Sequence, residues 1–484
     1  MIYKNWNTGR FLKIFCCLLT FAAFCANLQA DEILRLTADE AVELAIRNNL
    51  SLESSRINLA TRRRASELSW NQFIPNLTVS GTLNRDNEAS TITGMAPVDL
   101  NLVNSMIPPN MIYGVVPFSV GLPQWRVIGN VQASLTISAA MFENMRRLRF
   151  DYESGLINFD KAKLQLERDV RKAYHNILLL QENIALMRGS YENVGRQVQM
   201  AQANFNAGLA PELVLLQARV ALENMRPVID QVENGLKLSM AQLAMFLGMN
   251  FDTVFELVPV AENTDFIPFD VLEMISRAAA GKPDIQELRH TILMLESARR
   301  MQTYSLYPSL TLSWNYNPIF TRDPWADSWF NNNYWMDRGS FSITLALRLH
   351  SLLPFSTDSQ GIRNLEDQIR IANIGLAQMI NGTEIEIYNI ILALERTHTN
   401  AQALEQTVRL AEQSYRLTEQ AYRAGLQDYF QVQNAEQSLR QARVQLLEQQ
   451  FTYLNGLIDL EYSIGVPFGT LSKPAASVQS PDSN

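Results

Sequence analysis

The 484-residue sequence predicts a mainly α-helical fold that is built as an internal duplication and carries four β-strands suited to crossing a membrane. Three observations lead to this prediction. A five-residue phrase occurs twice, as FNAGL at 205–209 and as YRAGL at 422–426, and the residues around the two copies align without a gap. Long stretches have apolar residues at helical spacing, and four shorter stretches alternate apolar and polar residues.

Residues 1–30 have the composition of a secretory signal peptide, with basic residues, then an apolar run, and a predicted cleavage after Ala30. All three cysteines lie in this segment, so the mature chain is expected to lack disulfides, zinc–cysteine clusters and thiol catalysis. Lipidation of Cys25 stays open as an alternative, although Phe24 before it is large for a lipidation signal.

The first structural repeat is predicted over residues 31–248. It opens with a helix that Thr37 caps, because Glu40 follows three residues later as in a capping box. A second helix follows, and Pro75 ends it.

Beyond that proline, and at three further places, apolar and polar residues alternate for about ten residues. The predicted strands are about 76–85, 127–139, 309–317 and 340–349. Their length suits a membrane-crossing strand of about 9–11 residues, and tryptophans and tyrosines gather at their ends. An ordinary half-buried antiparallel sheet is the alternative. The loops between the strands, 86–126 and 318–339, are long, and the sequence assigns no role to the apolar stretch 95–125.

Four strands are too few to close a barrel. An open sheet edge in lipid leaves backbone N–H and C=O groups unpaired, and each such group costs several kcal/mol. If the strands span a membrane, several chains therefore have to pool them.

Heptad-spaced apolar residues predict long helices on both sides of each repeated phrase. Each phrase is predicted to be the tip of a helical hairpin, at 205–211 and at 422–428, with its glycine ending the first helix. The second structural repeat is predicted over 271–465. The expected linker between the repeats is 249–270, and 466–484 is expected to be a disordered tail.

The sequence contains no recognisable active site. The four histidines are scattered, and there is no phosphate-binding glycine loop, nucleophile elbow or convincing triad. We therefore expect no catalytic residue, metal, or cofactor, and a chain that is not an enzyme. The whole chain has 41 basic and 49 acidic residues, and the signal segment contains three of the basic residues and no acidic one. The mature chain is therefore strongly acidic, which argues against nucleic acid as a partner.

The chain resembles the TolC-like outer-membrane efflux family in three features. They are the signal peptide, the repeated tip phrase, and a duplicated order of elements in which short helices, two strands, a long helix and a return helix follow one another. The resemblance covers about 36–466. It implies an outer-membrane homotrimer in a double-membrane bacterium, in which twelve pooled strands form one barrel in the lipid and the helices form a periplasmic tunnel. It also implies two partners, a periplasmic adaptor (membrane fusion) protein and an inner-membrane pump.

The resemblance places contacts to the adaptor on the two hairpin tips. These contact residues are Phe205, Ala207, Gly208, Leu209, Tyr422, Ala424, Gly425 and Leu426. It places a candidate periplasmic gate at Asp428, Gln431 and Asn434. Family members often have pore-facing aspartates where this chain has Gln431 and Asn434, so an acidic gate is in doubt here.

The predicted function is an outer-membrane exit duct of a tripartite efflux or type I secretion system, driven by a partner pump. The alternative is a membrane-anchored periplasmic coiled-coil scaffold or adhesin without transport. The sequence does not indicate the exported substrate.

Overall fold

The computed structural model describes residues 34–88, 91–99, 113–121, 124–259, 268–320, 322, 324, 325, 327 and 329–471. The expected signal peptide, with Cys25, lies outside these residues. So do the greater part of the expected tail, from 472 onward, and residues 260–267 of the expected linker.

The described elements include the predicted helices and four strands in their predicted order, together with an additional hairpin and two short strands, one of which, Phe255–Leu257, lies in the expected linker 249–270. They are β1 (Leu34–Leu36), α1 (Ala38–Asn48), α2 (Leu50–Glu67), β2 (Asn76–Arg85), β3 (Thr91–Asp99), β4 (Tyr113–Gly121), β5 (Trp125–Ile137), α3 (Ala139–Asn206), α4 (Glu212–Phe246), β6 (Phe255–Leu257), α5 (Val271–Gly281), α6 (Pro283–Tyr304), β7 (Ser309–Phe320), β8 (Trp335–Ala346), α7 (Thr357–Arg423) and α8 (Tyr429–Ile464).

The chain divides into two compact units. The strand unit comprises residues 60–154 and 289–374, and the helical unit comprises the rest of the described chain. The mainly helical fold with a four-stranded sheet confirms the predicted fold class at this level.

In the strand unit, four strands form one antiparallel sheet in the order β2-β5-β7-β8. Its register places like residues side by side: Leu77 pairs with Ala133, and Trp314 pairs with both Ala133 and Phe341. Because successive side chains point to opposite faces, this register produces one apolar and one polar face. The apolar face contains Leu77, Val79, Val131, Ala133, Leu310, Leu312, Trp314, Phe341, Ile343 and Leu345, and the polar face contains Asn76, Thr78, Gln132, Ser134, Thr311, Ser313, Asn315, Ser340, Ser342 and Thr344.

Hydroxyl groups of the polar face join neighbouring strands. The hydroxyls of Ser313 and Ser342 lie 2.7 Å apart, and those of Thr136 and Thr311 lie 3.1 Å apart. On the other face, large apolar side chains remain exposed within one chain, with Leu345 at 72% and Val79 at 72% exposure.

Three strands extend beyond the predicted ends toward the long loops. β5 begins at Trp125, β7 continues to Phe320, and β8 begins at Trp335. Aromatic packing accounts for the longer β7 and β8. The Phe320 side chain is buried, and the centre of its ring lies 5.2 Å from that of Trp335 and 5.7 Å from that of Trp329.

A second antiparallel hairpin, β3 with β4, lies within the region predicted to be a loop at 86–126. It pairs Met95 with Pro117 and Pro97 with Val115. Prolines in both strands and several glycines disrupt the alternating pattern by which the other strands were predicted. The hairpin takes up part of the apolar stretch 95–125, and residues 100–112 of that stretch lie outside the described chain.

The helical unit contains α4 and α8, of 35 and 36 residues, and the greater part of α3 and α7, which have 68 and 67 residues in all. Its largest described cluster of buried residues includes Val170, Tyr174 and Ile177 of α3 with Leu243 of α4 and Leu247, which caps the end of α4. The Tyr174 hydroxyl donates to the backbone carbonyls of Leu36 and Val258, which ties the small parallel sheet of β1 and β6 to α3. Among the described residues, no helix is both long enough and apolar enough to cross a bilayer.

Candidate functional site

The two repeated phrases fold into the same turn. At Gly208 the backbone φ is 72°, and at Gly425 it is 74°, which is the left-handed region that glycine enters without steric cost. The N–H of Gly208 donates to the Phe205 carbonyl at 2.9 Å, and that of Leu209 donates to the Asn204 carbonyl at 2.8 Å. These two bonds define a Schellman C-cap, which ends α3 and satisfies its last carbonyls.

The second tip repeats these contacts residue for residue. The N–H of Gly425 donates to the Tyr422 carbonyl at 3.0 Å, and that of Leu426 donates to the Ala421 carbonyl at 2.9 Å. The first helix of each hairpin therefore ends in the same way, and the return helices, α4 and α8, start a few residues later.

Both tips present an open surface. A Cβ added to Gly208 or to Gly425 would have no heavy atom within 4 Å. The leucine after each glycine points outward, with Leu209 at 79% and Leu426 at 78% exposure. Of the eight predicted contact residues, all but Tyr422 are exposed in this chain. Each tip thus combines space at the glycine with an exposed apolar side chain.

One apolar cluster holds the two tips together. Tyr429, the first residue of α8, is buried with Ala201, Leu215 and Ala218 of the first hairpin. The Tyr422 ring packs against it with a centroid distance of 6.2 Å. Burial raises the pKa of the Tyr429 hydroxyl to about 12. The two tips therefore form one surface patch rather than two independent ones.

The three candidate gate residues lie on the first turns of α8. Asp428 is the N-cap of this helix, and its Oδ1 accepts a hydrogen bond from the Gln431 N–H at 3.0 Å. The side chains of Gln431 and Asn434 are exposed. Asp428 therefore has a structural role as the cap of α8.

A buried polar cluster joins α3 to α8 about two to three turns after the start of α8. Glu436 of α8 is 5% exposed and accepts a hydrogen bond from the Ser190 hydroxyl of α3. An Nη1 of Arg440 lies 3.6 Å from the Glu436 carboxylate. Burial raises the pKa of Glu436, and the positive charges of Arg440 and Arg443 partly oppose this rise.

The sequence did not indicate this cluster, because Ser190 and Glu436 lie on separate helices and form no recognisable sequence motif. A cavity of about 350 Å³ lies beside it and is lined by residues of α3, α7 and α8. The cavity is polar and open, and the described residues offer no group of three or more metal-binding side chains there or elsewhere.

The family model described as "Outer membrane efflux protein" matches residues 41–249. The curated alkaline protease secretion protein AprF of Pseudomonas aeruginosa is 21% identical over 331 residues, which cover 67% of each protein.

Solved structures share the fold over most of the chain. The CusC structure, described as undergoing transmembrane channel formation, aligns with a TM-score of 0.69 at 15% identity and covers 89% of this chain and 92% of its own. The outer membrane protein VceC of Vibrio cholerae aligns with a TM-score of 0.66 at 15% identity and covers 89% of this chain and 96% of its own.

These comparisons bear on three predictions. The resemblance to TolC-like channels is confirmed by the family model over the first half and by the fold over nearly the whole described chain. The outer-membrane location is confirmed with it, and the matched proteins are channels rather than enzymes, as predicted.

Proposed function

We propose that this chain is the exit duct of a tripartite efflux or type I secretion system, because the outer membrane efflux family model matches residues 41–249 and its fold matches that of outer-membrane channels. In this proposal, three copies form one channel across the outer membrane and periplasm, and a periplasmic adaptor connects it to an inner-membrane pump that supplies the energy. The observation that carries the proposal is the four-stranded sheet with two open edges and an exposed apolar face.

The edges of this sheet favour pooling between chains. In the described chain β2 and β8 each pair on one side only. Since every neighbouring pair in the sheet is antiparallel, β2 and β8 run in opposite directions. The β8 of one copy therefore meets the β2 of the next as an antiparallel neighbour, and repetition closes a ring without free edges. Three copies give the twelve strands that the resemblance implies.

The helical unit also has unpaired surfaces that suit a second and third copy. On α7, five large side chains lie on one helical face and are exposed in one chain, and α4 has a similar stripe. They are Ile385, Tyr388, Leu392, Leu410 and Leu417 on α7, and Leu213, Leu216, Val220, Leu238 and Met245 on α4. Apolar stripes of this length are typical of helix-packing seams. They support a closed assembly of helices.

The joint tip patch is the proposed adaptor-docking surface. Its support is the combination of exposed Leu209 and Leu426 with the open space at the two glycines, since an approaching backbone needs room and an apolar side chain adds contact area. Asp428, Gln431 and Asn434 are the proposed periplasmic constriction. The cargo is chosen by the pump, and secretion of a polypeptide and efflux of a small molecule both fit this duct.

Reconstitution tests the proposal directly. The purified protein is expected to run as a heat-resistant trimer on a gel and to give discrete conductance steps in a planar bilayer. A protein that assembles and inserts into the bilayer but never conducts ions would instead favour the scaffold function.

A further inference from the structure

The membrane sheet contains very few charges. Its strands β2, β5, β7 and β8 carry four charged side chains in all, which are Arg85, Arg126, Asp337 and Arg338. Because side chains alternate between the two faces, the strand register decides on which face each charge lies. In an antiparallel membrane barrel, the polar face lines the pore and the apolar face meets lipid.

Two of the four charges share the face of the apolar residues and lie toward the loop end of the strands. Arg85 pairs with Trp125, and its guanidinium carbon lies 5.7 Å from the centre of that indole. Asp337 accepts a hydrogen bond from the Tyr316 hydroxyl at 2.8 Å. These contacts anchor both groups on the outer surface of the sheet.

The other two charges lie on the polar face. Arg126 forms an ion pair with Asp86, with an N–O distance of 2.6 Å, so this pair adds no net charge. Arg338 pairs across the strands with Asn317 and is exposed. Its Nε donates to the Met336 sulfur at 3.3 Å, and no acidic side chain of the described residues forms an ion pair with it.

We propose that Arg338 is a selectivity-determining residue of the outer-membrane pore and makes the strand portion of the channel favour anions. This inference rests on the proposed function, because it requires the polar face to line a conducting channel. Three copies of Arg338 then lie in one ring. Its neighbours on the polar face are uncharged: Asn317 lies opposite, and Met336 and Ser340 lie on either side of it along β8. Rings of charged side chains select ions by sign.

The test is the reversal potential of single channels in a planar bilayer under a KCl gradient. Low salt is used, since the Debye length is about 10 Å at 0.1 M and the field of each arginine then extends into the pore. Arg338→Gln is expected to lower the ratio of anion to cation permeability about twofold at this ionic strength, and Arg338→Glu is expected to lower it further. Arg338→Lys, which retains the charge, is expected to keep the ratio.

Arg85→Gln is the matched control, because it removes the same charge from the opposite face of the same sheet. Its reversal potential is expected to equal that of the unmodified channel. An equal shift in both glutamine variants would overturn the assignment of Arg338 to the pore face, and no shift in Arg338→Gln would overturn its role in selectivity.

A second arm avoids any effect of the substitution on assembly. All native cysteines precede residue 31, so Arg338→Cys places one thiol in the processed chain. Modification of the assembled channel with a cationic thiol reagent is expected to restore anion preference, and modification with an anionic reagent to reverse it. Equal potentials after both reagents would refute the proposal. A protein that conducts with unchanged selectivity refutes only this inference, whereas a protein that never conducts refutes the proposed duct as well.

Discussion

Gly248 lies directly against the backbone of Asn48, and a Cβ at position 248 would overlap the Asn48 carbonyl oxygen. The glycine has a φ of 69° and ends α4 with the same pair of cap hydrogen bonds that ends α3 at the tip. Gly465 at the end of α8 stands in the same relation to Gly281, where an added Cβ would lie 2.6 Å from the carbonyl oxygen. An internal duplication would produce this matched pair of contacts.

The contrast between Gly248 and Gly208 gives the first prediction. Both have positive φ, but only Gly248 faces backbone, whereas Gly208 faces open space. Gly208→Ala is expected to cost about 1 kcal/mol of local stability. Gly248→Ala is expected to cost about 3 kcal/mol, because overlap with a carbonyl adds to the backbone strain. Thermal melting of the purified protein checks this, and equal shifts of the melting temperature in the two variants would contradict the contact between Gly248 and Asn48.

The second prediction concerns the two faces of β8. Leu345 lies on the apolar face opposite Leu310, and Thr344 lies on the polar face opposite Thr311. Leu345→Arg is expected to prevent insertion or assembly, since a lipid-facing arginine costs about 2–4 kcal/mol per chain near the bilayer midplane. Thr344→Arg is expected to be tolerated. Heat-resistant trimers in the membrane fraction are the readout, and equal losses in both variants would rule out the assignment of the faces.

Much of the fold follows from the sequence, because the spacing of apolar residues and the residue types at turns depend only on neighbouring positions in the chain. The alternation from Leu310 to Tyr316 predicts a strand, and the observed register preserves its apolar side across the sheet. The glycine at each tip phrase predicts the helix end, since only its backbone enters the left-handed region freely.

The remaining features depend on contacts between distant parts of the chain. The hairpin of β3 and β4 contains Pro97 and Pro117, so its pairing is set by the partner strand rather than by alternation. Ser190 and Glu436 are 246 positions apart, and nothing near either residue in the sequence indicates that they meet. The tip surface is predictable as two separate turns, but Tyr429 joins the turns only through tertiary packing.

Glu436 provides a prediction on pH. Its pKa in the folded chain is raised above the usual value of 4.5 by burial. Between the pKa of the unfolded chain and the higher pKa of the folded chain, the folded state keeps a proton that the unfolded chain has released. The free energy of unfolding therefore falls as the pH rises through this range. Glu436→Gln keeps the shape and removes this titration. The fall in melting temperature between about pH 4.5 and neutral pH is expected to be smaller in the variant. Parallel pH profiles for the two proteins would contradict this account of the cluster.

The candidate gate provides a prediction on channel block. Gln431 and Asn434 are exposed amides, so this level of α8 lacks a dense carboxylate ring that would hold multivalent cations. The unmodified channel is expected to be only mildly sensitive to such cations in a planar bilayer. The double variant Gln431→Asp, Asn434→Asp is expected to be strongly blocked. Tight block of the unmodified channel would mean that Asp428 forms a ring by itself, despite its bond to the Gln431 N–H.

Export by a Gly425→Trp variant, measured in cells that contain the cognate pump, tests directly whether an adaptor docks at the tips. The glycine faces open space, so a large side chain there fits the isolated chain apart from backbone strain, but it blocks an adaptor that approaches the tip. Gly425→Ala is the control and is expected to remain largely functional. We expect normal amounts of Gly425→Trp trimer in the outer membrane together with loss of export. Normal export by this variant would contradict docking at the tips, and loss of the trimer would make the glycine purely structural.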